Sequence, residues 1–285
     1  VFSFVDRITE TEPGKRARGV FTVPAGGGEF PPSLAAEAVG QLAAWVAMAQ
    51  TGFARRPVAG LAREVRAGSP VQAGTELDLE ARIDTFHEDM ISYDGWARAG
   101  QRVVLTLRDC VCPLLPLADF DDPESVRSRF ATLVASGRLS PGVGCGLDGG
   151  DLEEVKREGT PGVYTAELAV PSSAPFFADH FPRKPVFPGS LLLEAMTRIA
   201  VHTARGTLGR DAAPVTEVAA RGVKIRAFTP PGAYLALRAQ SLGAVGREAT
   251  VAVDVRAADP ASAGGAAVGK VVASARVSVT FGEGP

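Results

Sequence analysis

Cysteine is scarce in this chain, with three in 285 residues. So small and odd a number excludes a framework of paired disulfides. Cys110 and Cys112 form a lone C-x-C pair, whereas a zinc site takes about four ligands. The expectation is buried strand thiols and no metal. A charge bias is also missing: 30 Lys and Arg stand against 32 Asp and Glu, a net charge of −2. That balance argues against nucleic acid as a partner. No apolar run approaches the ~18 residues needed to span a membrane, and no leader pattern opens the chain. The expected setting is cytoplasmic, with no membrane partner. The chain starts at Val1 and enters a strand-like segment almost at once, which reads as a domain of a larger protein. Histidine is as rare as cysteine: His87, His180 and His202.

What is present is ordinary globular material, 46% apolar and 22% charged. The length allows two domains at roughly 150 residues each. The most informative stretch is Asp179–Met196. Pro182, Pro185 and Pro188 restrict φ around His180, so the loop loses little entropy on ordering. Gly189 and Ser190 then stand where an apolar helix should begin, with Ser190 as the expected N-cap. A helix start presents free N–H groups and partial positive charge. This segment has a second copy: residues 30–38 and 187–195 are identical at six of nine positions, at an offset of 157. A repeat at half the chain length indicates a duplicated domain. The same offset from His180 lands on Val23, so the first copy keeps the helix acid and lacks the histidine.

The predicted organisation is a first unit over 1–136, a linker over 137–150 with six glycines, and a second unit over 151–285. In the first, Phe2–Arg7 reads as a first strand or strand lead-in and Arg16–Val23 as a strand, around a Pro13-Gly14 turn. Ser33–Gln50 reads as a helix apolar nearly all round, hence buried. Leu77–Asp84 alternates cleanly as a half-wet strand, His87–Asp94 as a sheet edge or hairpin, and Arg102–Cys112 as a strand. Asp122-Pro123-Glu124 starts a short helix. The second unit repeats the order, with the His180 loop, a helix over Ser190–Thr207, and strands near 223–227, 235–242, 249–256 and 270–281. Each half is an antiparallel sheet around one long helix, an α+β layout.

The second half resembles the 3-hydroxyacyl-acyl carrier protein dehydratases. Their loop reads roughly F-F-x-x-H-F-P-x-x-P-x-x-P-G before a helix with E-A-M. Here the matching residues are Phe176, Phe177, His180, Phe181, Pro182, Pro185, Pro188, Gly189, Glu194, Ala195 and Met196. The first half is similar to the start of that family in Val5–Ile8 and Glu12–Arg16, and in the helix pair Glu37 and Gln41. The resemblance leaves out 113–160. It implies a double hotdog: two sheets, each wrapped around a central helix, paired within one chain.

The resemblance further implies a site built across the two halves, with His180 facing Glu37 and Glu194 facing Val23. His180 would take the α-proton of a 3-hydroxyacyl thioester, the Gly189 N–H would bind the thioester oxygen, and Glu37 would protonate the departing hydroxyl to leave a 2-enoyl thioester. Glu194 is the second candidate acid. Gln41 orients Glu37 or caps a polar pocket, and Phe177 and Phe187 are expected to hold the acyl chain. No cofactor is implied, because the substrate rides on the phosphopantetheine of acyl carrier protein, in fatty acid or polyketide biosynthesis. Expected partners are that carrier, other synthase domains, and a second copy forming a homodimer. Two other readings stay open, an acyl-binding scaffold module of a synthase and a hotdog thioesterase.

Overall fold

In a computed structural model, the residues described are 2–25, 30–135, 155–209, 213–258 and 269–283. The predicted linker over 137–150 lies outside them. Twelve strands follow one hydrogen-bonded path, in the order β1-β2-β5-β6-β7-β4-β10-β13-β12-β11-β9-β8. The first six are β1 (Arg7–Glu12), β2 (Arg16–Thr22), β5 (Glu76–Phe86), β6 (Met90–Ala99), β7 (Arg102–Pro116) and β4 (Leu61–Ala67). The other six are β10 (Val215–Ile225), β13 (Val271–Phe281), β12 (Glu248–Ala258), β11 (Tyr234–Val245), β9 (Val163–Ala169) and β8 (Lys156–Arg157). A short β3 (Arg55–Pro57) pairs with β7 off this path.

Two long helices fill the sheet's two halves. Helix α1 (Pro32–Gln50) packs on β2, β5 and β6, and α3 (Gly189–Leu208) packs on β9, β11 and β12; the helices also touch each other. Both are apolar enough to be buried along most of their length. Contact with the sheet is close. A Cβ on Gly95 of β6 would come within 2.4 Å of Val39 on α1 and 2.7 Å of the Glu80 carbonyl. Only glycine leaves room there. Gly209 closes α3 at φ 63°, the left-handed stop that glycine adopts without Cβ strain. A third helix, α2 (Pro123–Val134), begins where the sequence indicates, with the Asp122 carboxylate accepting from the Ser125 N–H at 2.9 Å.

The seam between the halves is β4 against β10, with Val65 opposite Ala220. Its wet face carries an ion-pair ladder: Arg66 to Glu217 at 2.7 Å and to Glu64 at 3.0 Å, and Arg221 to Glu64 at 3.0 Å. One apolar cluster runs through both halves, from Phe4 and Leu42 to Met196 and Val277. Among the described residues, no helix is long and apolar enough to cross a membrane.

Several expectations need correction. Of the two readings of Phe2–Arg7, the strand gives way to the lead-in: Phe2–Val5 is irregular chain, and β1 begins at Arg7. Their aromatic rings are used instead as packing against the second half. Residues 87–89 form the hairpin turn and β6 follows as an interior strand between β5 and β7, not an edge. Ser190 is not the N-cap: Pro188 holds that position in extended geometry, and Ser190 lies inside the first turn of α3.

Candidate active site

The His180 loop is held by backbone bonds and by the chain's start. The His180 N–H donates to the Phe176 carbonyl at 2.9 Å, and the His180 carbonyl accepts from the Val186 N–H at 2.9 Å. Asp179 accepts from the Phe2 N–H at 2.8 Å, and the Phe2 ring meets the imidazole edge-on at 5.4 Å. The irregular start of the first half thus clamps the loop of the second. The His180–Phe181 peptide bond is cis.

The imidazole is set as a base. Its Nδ1 lies 2.8 Å from the Val186 carbonyl. A carbonyl can only accept, so Nδ1 carries the proton and Nε2 keeps a free lone pair. Burial holds the His180 pKa below its ordinary 6.5; the charge of Glu37 and the bond to Val186 act against that, and the charge of Arg56 adds to it.

Glu37 projects from α1 into the same cavity as His180. One turn on, the Gln41 amide donates to the Glu37 carboxylate at 3.0 Å and to the Phe2 carbonyl at 3.1 Å, while its own oxygen accepts from the Phe4 N–H at 2.9 Å. The Phe4 N–H requires an acceptor, which settles which end of the amide faces Glu37. Of the two sequence alternatives for Gln41, the geometry supports the orienting one.

The cavity measures about 480 Å³ and is lined mostly by apolar side chains, among them Phe187, Leu193, Val65 and Ile91. Gly189 lines it too, at the first residue of α3, where N–H groups have no acceptor inside the helix. Cys110, Cys112 and Tyr93 line the wall, and all three are buried. Burial pushes the Cys112 thiol up to about 12 and Cys110 well above its usual range, so both are neutral thiols rather than nucleophiles. An acidic group outside the cavity, Asp84, Asp94 and Asp109, is accounted for by Arg108 on Asp94 and Arg63 on Asp109.

Not every expected residue is in the cavity. Phe177 is buried against Phe176, with ring centroids 4.5 Å apart, and supports the loop from behind rather than lining the pocket. Glu194 is also elsewhere: its carboxylate accepts from the Ser33 hydroxyl at 2.8 Å, and it is not among the lining residues. Ser33 and Ser190 are repeat equivalents, yet the Ser190 hydroxyl is buried with no partner among the described residues. Val23 is a buried strand-end residue, and Pro32, the equivalent of Gly189, has no N–H to offer.

Two cavity residues carry no sequence signal, Arg56 on β3 and Arg129 on α2. Arg129 is ion-paired with the buried Asp121. The Arg56 guanidinium lies 4.0 Å from the centre of the Phe181 ring, which itself stacks on His180 at 4.1 Å. Arg183 and Lys184 are exposed and reach the segment before α2. Arg183 donates to the Ala118 carbonyl at 2.9 Å, and the Lys184 ammonium lies 5.3 Å from the Phe120 ring centre.

A helix-wrapping sheet, doubled within one chain and with its cavity between the halves, defines the class as a double hotdog. Solved structures agree on the fold. The tesB protein of Mycobacterium avium subsp. paratuberculosis aligns with TM-score 0.58 at 14% identity, over 96% of each chain. A conserved hot dog fold protein from Alicyclobacillus acidocaldarius aligns with 0.53 at 12%, over 100% of this chain and 98% of its own. An acyl-ACP thioesterase from Bacteroides thetaiotaomicron aligns with 0.51 at 10%, over 94% and 98%. Within that class the sequence is more specific: residues 151–258 match the FabA-like domain. The chain is 34% identical over 101 residues to the 3-hydroxyacyl-[acyl-carrier-protein] dehydratase FabZ of Anaeromyxobacter sp. (strain Fw109-5), covering 33% of this chain and 64% of that protein, less than two thirds of its length. The second half of the chain is thus similar to dehydratase-type hotdog domains.

Proposed function

We propose that this protein removes water from 3-hydroxyacyl thioesters carried on acyl carrier protein, giving 2-enoyl thioesters. The observation that carries the reading is one apolar cavity holding a base and an acid from opposite halves, each held by its own partner: His180 by the Val186 carbonyl and Glu37 by Gln41. The N–H groups at the start of α3, Gly189 first, bind the thioester oxygen and stabilise enolate charge; one such donor contributes about 3 kcal/mol. His180 Nε2 takes the α-proton. Glu37 gives its proton to the 3-hydroxyl as the C–O bond breaks, and water leaves. The apolar lining takes the acyl chain. The FabA-like match over 151–258 and the similarity to FabZ support this reading. The working units are 1–136 and 151–285, the second supplying the histidine of the cavity.

The test is a 3-hydroxyacyl thioester of N-acetylcysteamine, followed both for 2-enoyl product and for free thiol. Enoyl product without thiol is the expected result. Thiol release without enoyl product would assign a thioesterase, and neither product would leave an acyl-binding module.

A further inference from the structure

A plain acyl chain needs no cation in its pocket, yet the guanidinium of Arg56 stands in this one. Among the described residues its side chain stacks on the Phe181 ring, and no carboxylate forms an ion pair with it. Asp121, the carboxylate that acts on it most strongly, is ion-paired with Arg129. Burial lowers the Arg56 pKa to about 10, with Asp121 and Glu37 acting the other way and Arg129 adding to it. A half-buried guanidinium at the cavity wall keeps five N–H donors in a planar fork suited to carboxylate or phosphate. Ring stacking satisfies its face and leaves those edge donors over. A perturbed, unpaired ionic group in a cleft is what a ligand site looks like before the ligand arrives.

We propose that Arg56 is an anion-binding subsite of the cavity, taking an oxyanionic group, carboxylate or phosphate, of the bound thioester. This rests on the reading that the cavity holds an acyl thioester. The group has two possible sources, a carboxylate on the acyl chain or the phosphate of the pantetheine arm. Both present the same planar or tetrahedral oxygens to the fork.

Three saturated probes separate the sources: octanoyl-N-acetylcysteamine, which is neutral; octanoyl-phosphopantetheine, which adds the phosphate; and the N-acetylcysteamine monothioester of octanedioic acid, which adds the carboxylate. None has a 3-hydroxyl, so binding by calorimetry does not depend on dehydration, and a protein that fails the enoyl assay can still show the subsite. The expected result is at least tenfold tighter binding of one anionic probe than of the neutral one. Arg56→Met removes that advantage and Arg56→Lys keeps part of it. Arg56→Gln serves as a second variant should the methionine disturb folding. Equal binding of all three probes by the wild-type protein overturns the proposal. So does an advantage that survives in folded Arg56→Met or Arg56→Gln.

Discussion

At the scale of single residues, His180 works through what its neighbours do to it. The Val186 carbonyl sets the tautomer, and burial keeps the ring neutral. A general base must be unprotonated, so the acid limb of the kcat/KM profile should follow the imidazole and fall below pH 6.5. Arg56 lowers this pKa, so Arg56→Met should move the limb higher. A limb that stays fixed in that variant would remove His180 as the titrating base. His180→Ala and Glu37→Gln should each lower kcat on the order of 10²–10⁴-fold, whereas Glu194→Gln should keep near wild-type turnover. Dead Glu194→Gln beside active Glu37→Gln would reverse the pairing. His180 was legible because prolines and a repeat frame it. Arg56 was not, because one arginine beside another in a loop-like stretch gives no sign that a ring will draw it inward.

Among elements, the start of α1 and the body of α3 meet through Ser33 and Glu194. Ser33→Ala leaves a part-buried carboxylate without that donor, which costs about 1–3 kcal/mol. The variant should melt earlier while its kcat stays unchanged, since neither residue lines the cavity. A large loss of kcat with unchanged melting would place Glu194 in the chemistry. Strand β4 shows why elements are harder to read than residues. In Leu61–Ala67 the sequence is LAREVRA, whose charges obscure any alternation. Those charges are matched by Glu217 and Arg221 from the other half, more than 150 residues away. Only the seam explains them. The helices, by contrast, declare themselves through Pro, Asp and Gly at their ends.

Across the whole molecule, one apolar cluster and one sheet path run through both halves. The halves should therefore unfold together. Both tryptophans, Trp45 and Trp96, lie in the first half, so tryptophan fluorescence reports that half while far-ultraviolet circular dichroism reports both. Coincident urea transitions are expected. A fluorescence transition displaced from the dichroism transition would make the halves independent units.

The sequence by itself determined the doubling, the two buried helices and the position of the one loop histidine, because repeats, periodicity and proline are local properties of the chain. Only the tertiary structure decided which acid shares a cavity with that histidine, which phenylalanine stays behind the wall, and that an arginine stands inside it. Those are distances between residues far apart in the chain, and no local pattern encodes them.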